Sequence, residues 1–264
     1  MELIDSHCHL DLPAFDVDRD AVIARSRANG VGGFVVPGVQ ASGWQSLWQL
    51  SRQVPDLYPA FGLHPVYLEQ HAAEDVTTLE TMVAHCRPVA IGEIGLDFHV
   101  RELDPDRQQT LFEAQLAVAR SADLPVILHV LKAHDQVLAT LKRNRVCGGI
   151  VHAFNGSLQQ AQHYIKLGFS FGFGGMLTFE RSTRLRALAS GLPLASIVLE
   201  TDAPDMTVMQ HHGERNSPEY LPYCLAALAA ARDADPDEIA RVTTQNVRDV
   251  LDLATWKQPR TDVL

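Results

Sequence analysis

The segment Leu3–His9 reads L-I-D-S-H-C-H, a short apolar strand that leads into two histidines. Residues two positions apart on an extended chain point to the same side, so the side chains of His7 and His9 can meet one metal ion. A lone pair of this kind more often represents two ordinary surface or core histidines. Its interpretation as a metal chelate therefore depends on what the rest of the chain places beside it.

Short β-rich runs alternate with longer amphipathic segments along the whole chain. This alternation is typical of βα units and predicts a parallel sheet. The eight predicted strands are Leu3–His7, Gly33–Val39, Tyr58–Leu63, Val89–Leu96, Pro125–His129, Gly149–His152, Phe169–Gly174 and Ile197–Asp202. Eight such strands close a barrel that folds as one unit at about 250 residues. We therefore predict an α/β fold, a TIM (β/α)8 barrel, and a single domain over residues 1–264.

Between and after these strands the pattern predicts helices and one functional loop. The helices with the clearest limits are Asp106–Ala122, Ser157–Leu167, Pro218–Arg232 and Asp237–Leu253. The irregular stretch Ala203–Ser217 has little to bury and is expected to shape the barrel rim. The competing fold is a doubly wound open sheet, which requires a glycine-rich phosphate turn after an early strand. Here the early glycines precede a strand, so the pattern does not support that alternative.

Composition limits the class of protein. The 264 residues include 22 basic and 32 acidic side chains, for a net charge of −10, which disfavours broad non-specific binding to nucleic acid. The four cysteines are widely spaced and fit free thiols. The chain has neither a leader-like start nor an apolar run of about 18 residues. We expect a cytoplasmic protein that does not enter membranes and is a monomer or weak oligomer.

Further candidate ligands fall at the carboxyl ends of other predicted strands, which form the catalytic face of a barrel. Glu93 lies in an apolar strand, and a buried glutamate is almost always paired or coordinated. His129 and His152 end strands five and six, and Asp202 ends strand eight, which adjoins strand one in a closed barrel. Each residue alone has a structural explanation, but their matched placement favours metal ligation.

We predict that two divalent cations bind at this face. The ligands of one are His7, His9, Glu93 and Asp202, and those of the other are Glu93, His129 and His152. Zinc, magnesium and manganese are the candidate ions, and the mixed nitrogen and oxygen ligands also suit iron or nickel. Two ions about 3.5–4 Å apart activate a water and stabilise both oxygens of a phosphoryl displacement. Asp202, as proton acceptor, and Glu93 are the predicted catalytic residues.

Several residues near these ligands have weaker claims. His64 follows strand three and either contacts the substrate, acts as an acid or caps its own loop. Asp97 closes strand four and is placed to orient a ligand, while Glu200 lies one layer below Asp202 as a supporting or structural group. The remaining histidines fall in predicted helices or loops and are taken as solvated or structural. Covalent catalysis has little support, because Cys8 points to the opposite face of the strand from His7 and His9.

At these positions the sequence resembles the TatD family of metal-dependent hydrolases, and within it the bacterial YjjV branch. The motifs are I-D-S-H-C-H-L at 4–10, G-L-H-P at 62–65, G-E-I-G-L-D at 92–97, P-V-I-L-H at 125–129, V-H-A-F-N-G-S at 151–157, E-T-D-A-P at 200–204 and R-N-S-P at 215–218. The resemblance implies a TIM barrel of the amidohydrolase-like type, two divalent ions on the six residues named above, and hydrolysis of DNA. It also implies that Arg215 binds substrate together with His64.

Two departures from the family pattern concern the substrate. Relatives commonly read H-S-R after strand five, where this chain reads His129-Val130-Leu131, and their often basic loop before R-N-x-P reads H-H-G-E here. Two expected phosphate contacts are thus weakened or missing. Three functions remain open: a nuclease acting at DNA ends or on another phosphoester; a hydrolase of a small amide, lactone, ester or aminoacyl-tRNA; and a silent metal-binding partner protein, which the complete ligand set disfavours.

Overall fold

A computed structural model describes residues 2–257; Met1 and residues 258–264 of the predicted domain lie outside the described residues. Eight parallel strands follow one another in chain order around one sheet. The strands are β1 (Leu3–Asp5), β2 (Val31–Pro37), β3 (Leu57–Phe61), β4 (Ala90–Asp97), β5 (Val126–Leu131), β6 (Gly149–Val151), β7 (Phe169–Phe173) and β8 (Ile197–Leu199). Each prediction of a strand is therefore confirmed, with shifted limits.

Backbone hydrogen bonds between the first and last strands bring the sheet nearly to closure. The N–H of Ser6 donates to the carbonyl of Leu199 at 3.0 Å, and the N–H of Asp202 donates to the carbonyl of His7 at 2.8 Å. These bonds continue past the ends of β1 and β8 toward the carboxyl end of the barrel. The predicted TIM barrel is confirmed.

Seven helices lie between successive strands on the outside of the barrel, and two more of the described helices follow β8. They are α1 (Arg19–Ala28), α2 (Ala41–Gln53), α3 (Asp75–Cys86), α4 (Pro105–Ala122), α5 (His134–Arg143), α6 (Leu158–Ile165), α7 (Thr183–Gly191), α8 (Leu221–Arg232) and α9 (Pro236–Val250). The predicted helix at 218 begins with a 3-10 turn and becomes α-helical at Leu221. Within residues 2–257, no helix combines the length and apolarity that crossing a bilayer requires.

Local sequence explains where two of the predicted helices begin. The Asp104 carboxylate accepts hydrogen bonds from the N–H groups of Asp106 and Arg107, and Pro105 occupies the first turn of α4. Ser157 and Gln160 form a reciprocal capping box before α6. Both arrangements satisfy amide groups that the first turn of a helix leaves without partners.

Two packed layers of apolar side chains hold the strands in place. The larger layer lies between the strands and the surrounding helices. The smaller one fills the barrel interior and consists of Ile4, Val35, Ala60, Val89, Ala90, Ile127, Ile150, Val198, Val247 and Leu251. Val247 and Leu251 come from α9 and the residue after it, and Thr244 of α9 donates a hydrogen bond to the carbonyl of Glu2. Helix α9 therefore closes the amino end of the barrel, leaving the carboxyl end open.

Six strands stop earlier than predicted, and beyond three of them, β1, β6 and β8, lie candidate metal ligands. Strand β1 ends at Asp5, because the Asp5 carboxylate accepts hydrogen bonds from the N–H groups of His7 and Thr201 at 3.2 and 3.0 Å. The Asp5 side chain thus accepts the hydrogen bond that a backbone carbonyl would accept if the strand pairing continued. Strands β6 and β8 likewise end before His152 and Asp202. His7, His9, His152 and Asp202 consequently lie on the segments that follow their strands, whereas Glu93 and His129 lie within β4 and β5.

We expect the closure by α9 to contribute strongly to stability. Replacement of the buried Leu251 by alanine leaves a cavity beneath the barrel and should lower the free energy of unfolding by about 2–5 kcal/mol. Urea denaturation of wild type and variant measures the difference. The matched control is Val17→Ala at a side chain that is 93% exposed, which should change stability by no more than about 0.5 kcal/mol. Equal effects would contradict the role given to α9.

Candidate metal centre

Glu93 lies at the carboxyl end of the barrel with one carboxylate oxygen facing each of two groups of histidines. Its side chain is 2% exposed. Oε2 lies 3.2 Å from Nε2 of His7 and 3.6 Å from Nε2 of His9. Oε1 lies 2.9 Å from Nε2 of His152 and 3.1 Å from Nδ1 of His129. One carboxylate therefore reaches both groups of ligands that the sequence predicts.

The first cluster comprises His7, His9, Glu93 and Asp202. The Nε2 atoms of His7 and His9 lie 3.2 Å apart, and Oδ1 of Asp202 lies 3.5 and 3.6 Å from them. Nδ1 of His9 lies 3.1 Å from the carbonyl of Pro37, so it can donate there and leave Nε2 free as a ligand atom. The pairing of β1 with the segment after β8 is what brings these residues together.

The second cluster comprises Glu93, His129, His152 and His64. Nδ1 of His129 lies 3.3 Å from Nε2 of His152. The other nitrogen of His129 lies 2.9 Å from Oδ2 of Asp97, whose Oδ1 accepts hydrogen bonds from the N–H groups of His99 and Val100. Asp97 thus has the geometry expected of a group that orients a histidine ligand.

His64 joins the second cluster although the sequence did not point to it as a ligand. Its Nε2 lies 3.1 Å from Oε1 of Glu93, and its Nδ1 accepts a hydrogen bond from the N–H of Val66. The side chain therefore caps its own loop and faces the site at once, so the two interpretations of this residue are compatible. The available signal was its place directly after a strand, which His129 and His152 share.

Glu200 lies beneath the clusters as a buried, partly unpaired carboxylate. Its Oε1 accepts a hydrogen bond from the N–H of Ala153 and lies 3.8 Å from Nδ1 of His152, while Oε2 has no partner in the described structure. A Cβ on Gly172 would lie 1.9 Å from Oε2, so only glycine leaves room for this carboxylate. Burial raises the pKa of Glu200 to about 8. Glu200 supports the loop that carries His152.

Charge is distributed so that anions and cations alternate in the site. Burial disfavours a charge on Glu93, but His64, His152 and His7 hold its pKa well below the usual range. Burial also opposes a charge on His152, yet Glu93 raises its pKa to about 10. Burial likewise disfavours a charge on Asp202, but the hydrogen bond with His9 and the nearby His152 and His7 together lower its pKa. The two carboxylates therefore remain anionic and attract positive charge.

The residues present fit divalent cations. Three sets of donor atoms lie within 4.8 Å of one another in each set, namely His7 with Glu93 and His152, His7 with His9 and Asp202, and His64 with Glu93 and His129. Imidazole nitrogens and carboxylate oxygens in this number are typical ligands of zinc and related ions. A buried anionic carboxylate among them is energetically unfavourable unless cations lie beside it.

A cavity of about 680 Å³ opens onto both clusters. Its lining includes His9, His64, Glu93, His129, His152 and Asp202. Asn155, Arg181 and Arg184 also line it, and none of these was among the predicted site residues. Asn155 lies close behind β6, so a search of strand ends for amide groups would have found it, whereas Arg181 and Arg184 lie too far beyond β7 for such a search.

Arg215, a predicted substrate contact, lies elsewhere on the rim. Its two terminal nitrogens donate to the two carboxylate oxygens of Asp18 at 2.9 and 2.7 Å, and its guanidinium stacks over the ring of Phe15 at 4.5 Å. It is not among the described residues that line the cavity. In this structure the side chain fastens the loop 203–217 to the segment before α1.

An eight-stranded barrel with histidine and carboxylate donors at its carboxyl end defines a TIM-barrel protein of the amidohydrolase type. The family model described as "TatD related DNase" matches residues 4–252. The metal-dependent hydrolase YjjV of Escherichia coli is 40% identical over 92% of this chain and 95% of its own length. Its crystal structure superposes with a TM-score of 0.91 at 39% identity and covers 95% of this chain and 98% of that one.

The chain belongs to the TatD family of metal-dependent hydrolases. A protein named 3'-5' ssDNA/RNA exonuclease TatD, from Erwinia tasmaniensis, is 33% identical over 95% of this chain and 100% of its own length. An amidohydrolase from Saccharomyces cerevisiae shares the fold, with a TM-score of 0.78 at 19% identity over 95% of this chain and 99% of that one. The resemblance to this family and the amidohydrolase-like fold type are confirmed.

We expect purified protein reconstituted with zinc or manganese to hold up to two ions per chain. His7→Ala/His129→Ala removes one imidazole from each cluster and should lower that content clearly, since each cluster loses a donor. Elemental analysis after gel filtration measures it. The control His85→Ala alters an exposed histidine on α3 and should leave the content unchanged. Full metal content in the double variant would remove the basis for these ligands.

Proposed function

We propose that this protein is a deoxyribonuclease that hydrolyses phosphodiester bonds at DNA ends on a pair of divalent cations. The observation that carries the proposal is the position of Glu93, with one oxygen in each cluster. A shared carboxylate is the arrangement that two neighbouring ions require. When bound, two such cations lower the pKa of a water and neutralise charge on the phosphoryl oxygens.

The side chains have distinct roles in this proposal. His7, His9 and Asp202 would hold one ion and His129 and His152 the other, with Glu93 reaching both groups of ligands. Asp202 lines the cavity and stays anionic, so it is the group placed to accept the proton of the attacking water. His64 lines the cavity beside Glu93 and is placed to contact the substrate.

The choice of nucleic acid rests on two further considerations. The relative from Erwinia tasmaniensis carries the name of a single-strand DNA and RNA exonuclease. The cavity is a compact chamber within the size range of small-molecule sites, about 300–1,000 Å³, so it suits a strand end rather than a long tract. A net charge of −10 also favours a grip on few phosphates. We propose that residues 1–264 act as one cytoplasmic domain, monomeric or weakly oligomeric.

A second candidate function is hydrolysis of a small amide, lactone, ester or aminoacyl-tRNA on the same centre. Apolar side chains in the cavity lining, among them Leu131, Phe173 and Leu185, favour an organic substrate with little charge. Leu131 stands where family members commonly have arginine. A screen of the metal-loaded protein against DNA, phosphoesters, aminoacyl-tRNA and cyclic amides distinguishes the two candidates.

Asp202→Asn should lower the turnover number by about 10²-fold or more, because a general base typically contributes 10²–10⁴-fold to the rate. Stopped assays with a short single strand at saturating concentration measure turnover. Metal content is determined on the same samples, so that loss of an ion is separated from loss of the base. Near-normal turnover with the ions in place would refute the role of Asp202.

Cleavage at ends predicts that linear single-stranded DNA is degraded while a closed circle of the same sequence is not. Gel analysis of both forms with Mg²⁺, Mn²⁺ and Zn²⁺ tests this. The control is the Glu93→Ala variant, which removes the carboxylate shared by both clusters and should be inactive on either form. Degradation of the circle would indicate an endonuclease, and no cleavage of any DNA would shift preference to the small-molecule hydrolase.

A further inference from the structure

Two arginines on the segment after β7 line the cavity and have no carboxylate partner among residues 2–257. The guanidinium of Arg181 lies over the ring of Phe179 at 5.6 Å from its centroid. Arg184 donates to the carbonyls of Asn155 and Gly156, both at 3.3 Å. Both side chains belong to exposed residues that line the cavity. Their positive charge is therefore available to a ligand.

Six other arginines among residues 2–257 pair with acidic side chains. Arg25 pairs with Glu219 at 2.8 Å, Arg107 with Glu69 at 2.6 Å, and Arg215 with Asp18. In a chain with a net charge of −10, two cations with aromatic and carbonyl contacts at the mouth of the catalytic cavity form a local positive site. Guanidinium groups match phosphate in geometry and bind it with charge-assisted hydrogen bonds.

The same cavity contains the metal centre, these arginines and an apolar surface. Apolar side chains in the lining include Val66, Leu131, Met176, Leu185 and Met206. A nucleoside has a flat base and an uncharged sugar. Their transfer from water to such an apolar surface is favourable. The lining therefore provides three kinds of contact, for a reacting phosphate, for a nucleoside and for another phosphate.

We propose that Arg181 and Arg184 bind the phosphodiester next to the one that is cleaved. The nucleoside that joins these two phosphodiesters then lies against the apolar lining. This inference rests on the proposed nuclease function and specifies its substrate. The favoured ligand is a single strand with at least two phosphodiester bonds. An ester with one phosphate reaches the metal centre but leaves the arginine pair without a ligand.

Binding measurements test the arginine pair independently of turnover. The probe is a fluorescent pentathymidylate with phosphorothioate linkages, which keep the charge and resist hydrolysis, titrated against the metal-loaded full chain at several salt concentrations. Both arginines bind one phosphate, and each phosphate neutralised on a single strand adds roughly 0.7 to the slope of log affinity against log salt, so Arg181→Gln/Arg184→Gln should lower the slope by about 0.7. Affinity at low salt should fall about 10-fold or more.

Two further variants make this result specific. Arg181→Lys/Arg184→Lys retains both charges and should keep most of the salt slope. Arg241→Gln removes one charge from the exposed surface of α9, at the opposite end of the barrel, and should leave both slope and affinity unchanged. An unchanged slope in the double glutamine variant, or wild-type protein that does not bind the probe, would overturn the proposal.

Kinetics separates failure of this inference from failure of the proposed function. The ratio of kcat/KM for unmodified pentathymidylate to that for thymidine 5'-(p-nitrophenyl phosphate) should fall at least about 10-fold in the double glutamine variant. An unchanged ratio would overturn the arginine site while leaving the nuclease intact. If wild type cleaves neither substrate but the salt slopes differ as expected, the nuclease proposal fails and the phosphate site stands.

Discussion

The buried carboxylate of Glu93 is the constraint on which the rest of the site depends. An anion enclosed by protein is costly unless positive charge lies against both of its oxygens, and histidines from four neighbouring segments supply that environment. Close strand packing makes the approach possible: Gly95 adopts a φ of +145°, and a Cβ there would lie 2.0 Å from the carbonyl oxygen of His129. The geometry of β4 and β5 is thus inseparable from the chemistry of the centre.

Closure of the barrel has an equally direct link to function. The first cluster draws His7 and His9 from the start of the chain and Asp202 from the segment after β8, and the buried Asp5 joins those two segments. Its carboxylate accepts from the N–H and the hydroxyl of Thr201 at 3.0 and 2.5 Å. Loss of that connection would separate the ligands even if every one of them were retained. The second cluster needs only strands that are neighbours in sequence.

The barrel and the convergence of the six candidate ligands could be predicted from the sequence because both follow from local periodicity: apolar runs define strands, and their polar endings define one face. Strand ends were less predictable, since the side chain of Asp5 ends β1 through tertiary hydrogen bonds. His64, Arg181 and Arg184 depend on how loops fold back over the cavity, and the engagement of Arg215 by Asp18 depends on a contact between distant segments. Such contacts leave no periodic signal. The cytoplasmic location and the oligomeric state stay predictions.

The contacts between the first strand and the C-terminal part of the chain also determine when the candidate metal centre can form during synthesis. Asp5 and Thr201 are 196 residues apart, and the contact of Thr244 with Glu2 spans 242 residues. Contacts of such long range close late in folding, since the loop entropy must be overcome first. A nascent chain that lacks the segment after β8 has no Asp202, so its first cluster is incomplete. Assembly of the complete candidate metal centre is therefore coupled to completion of the polypeptide.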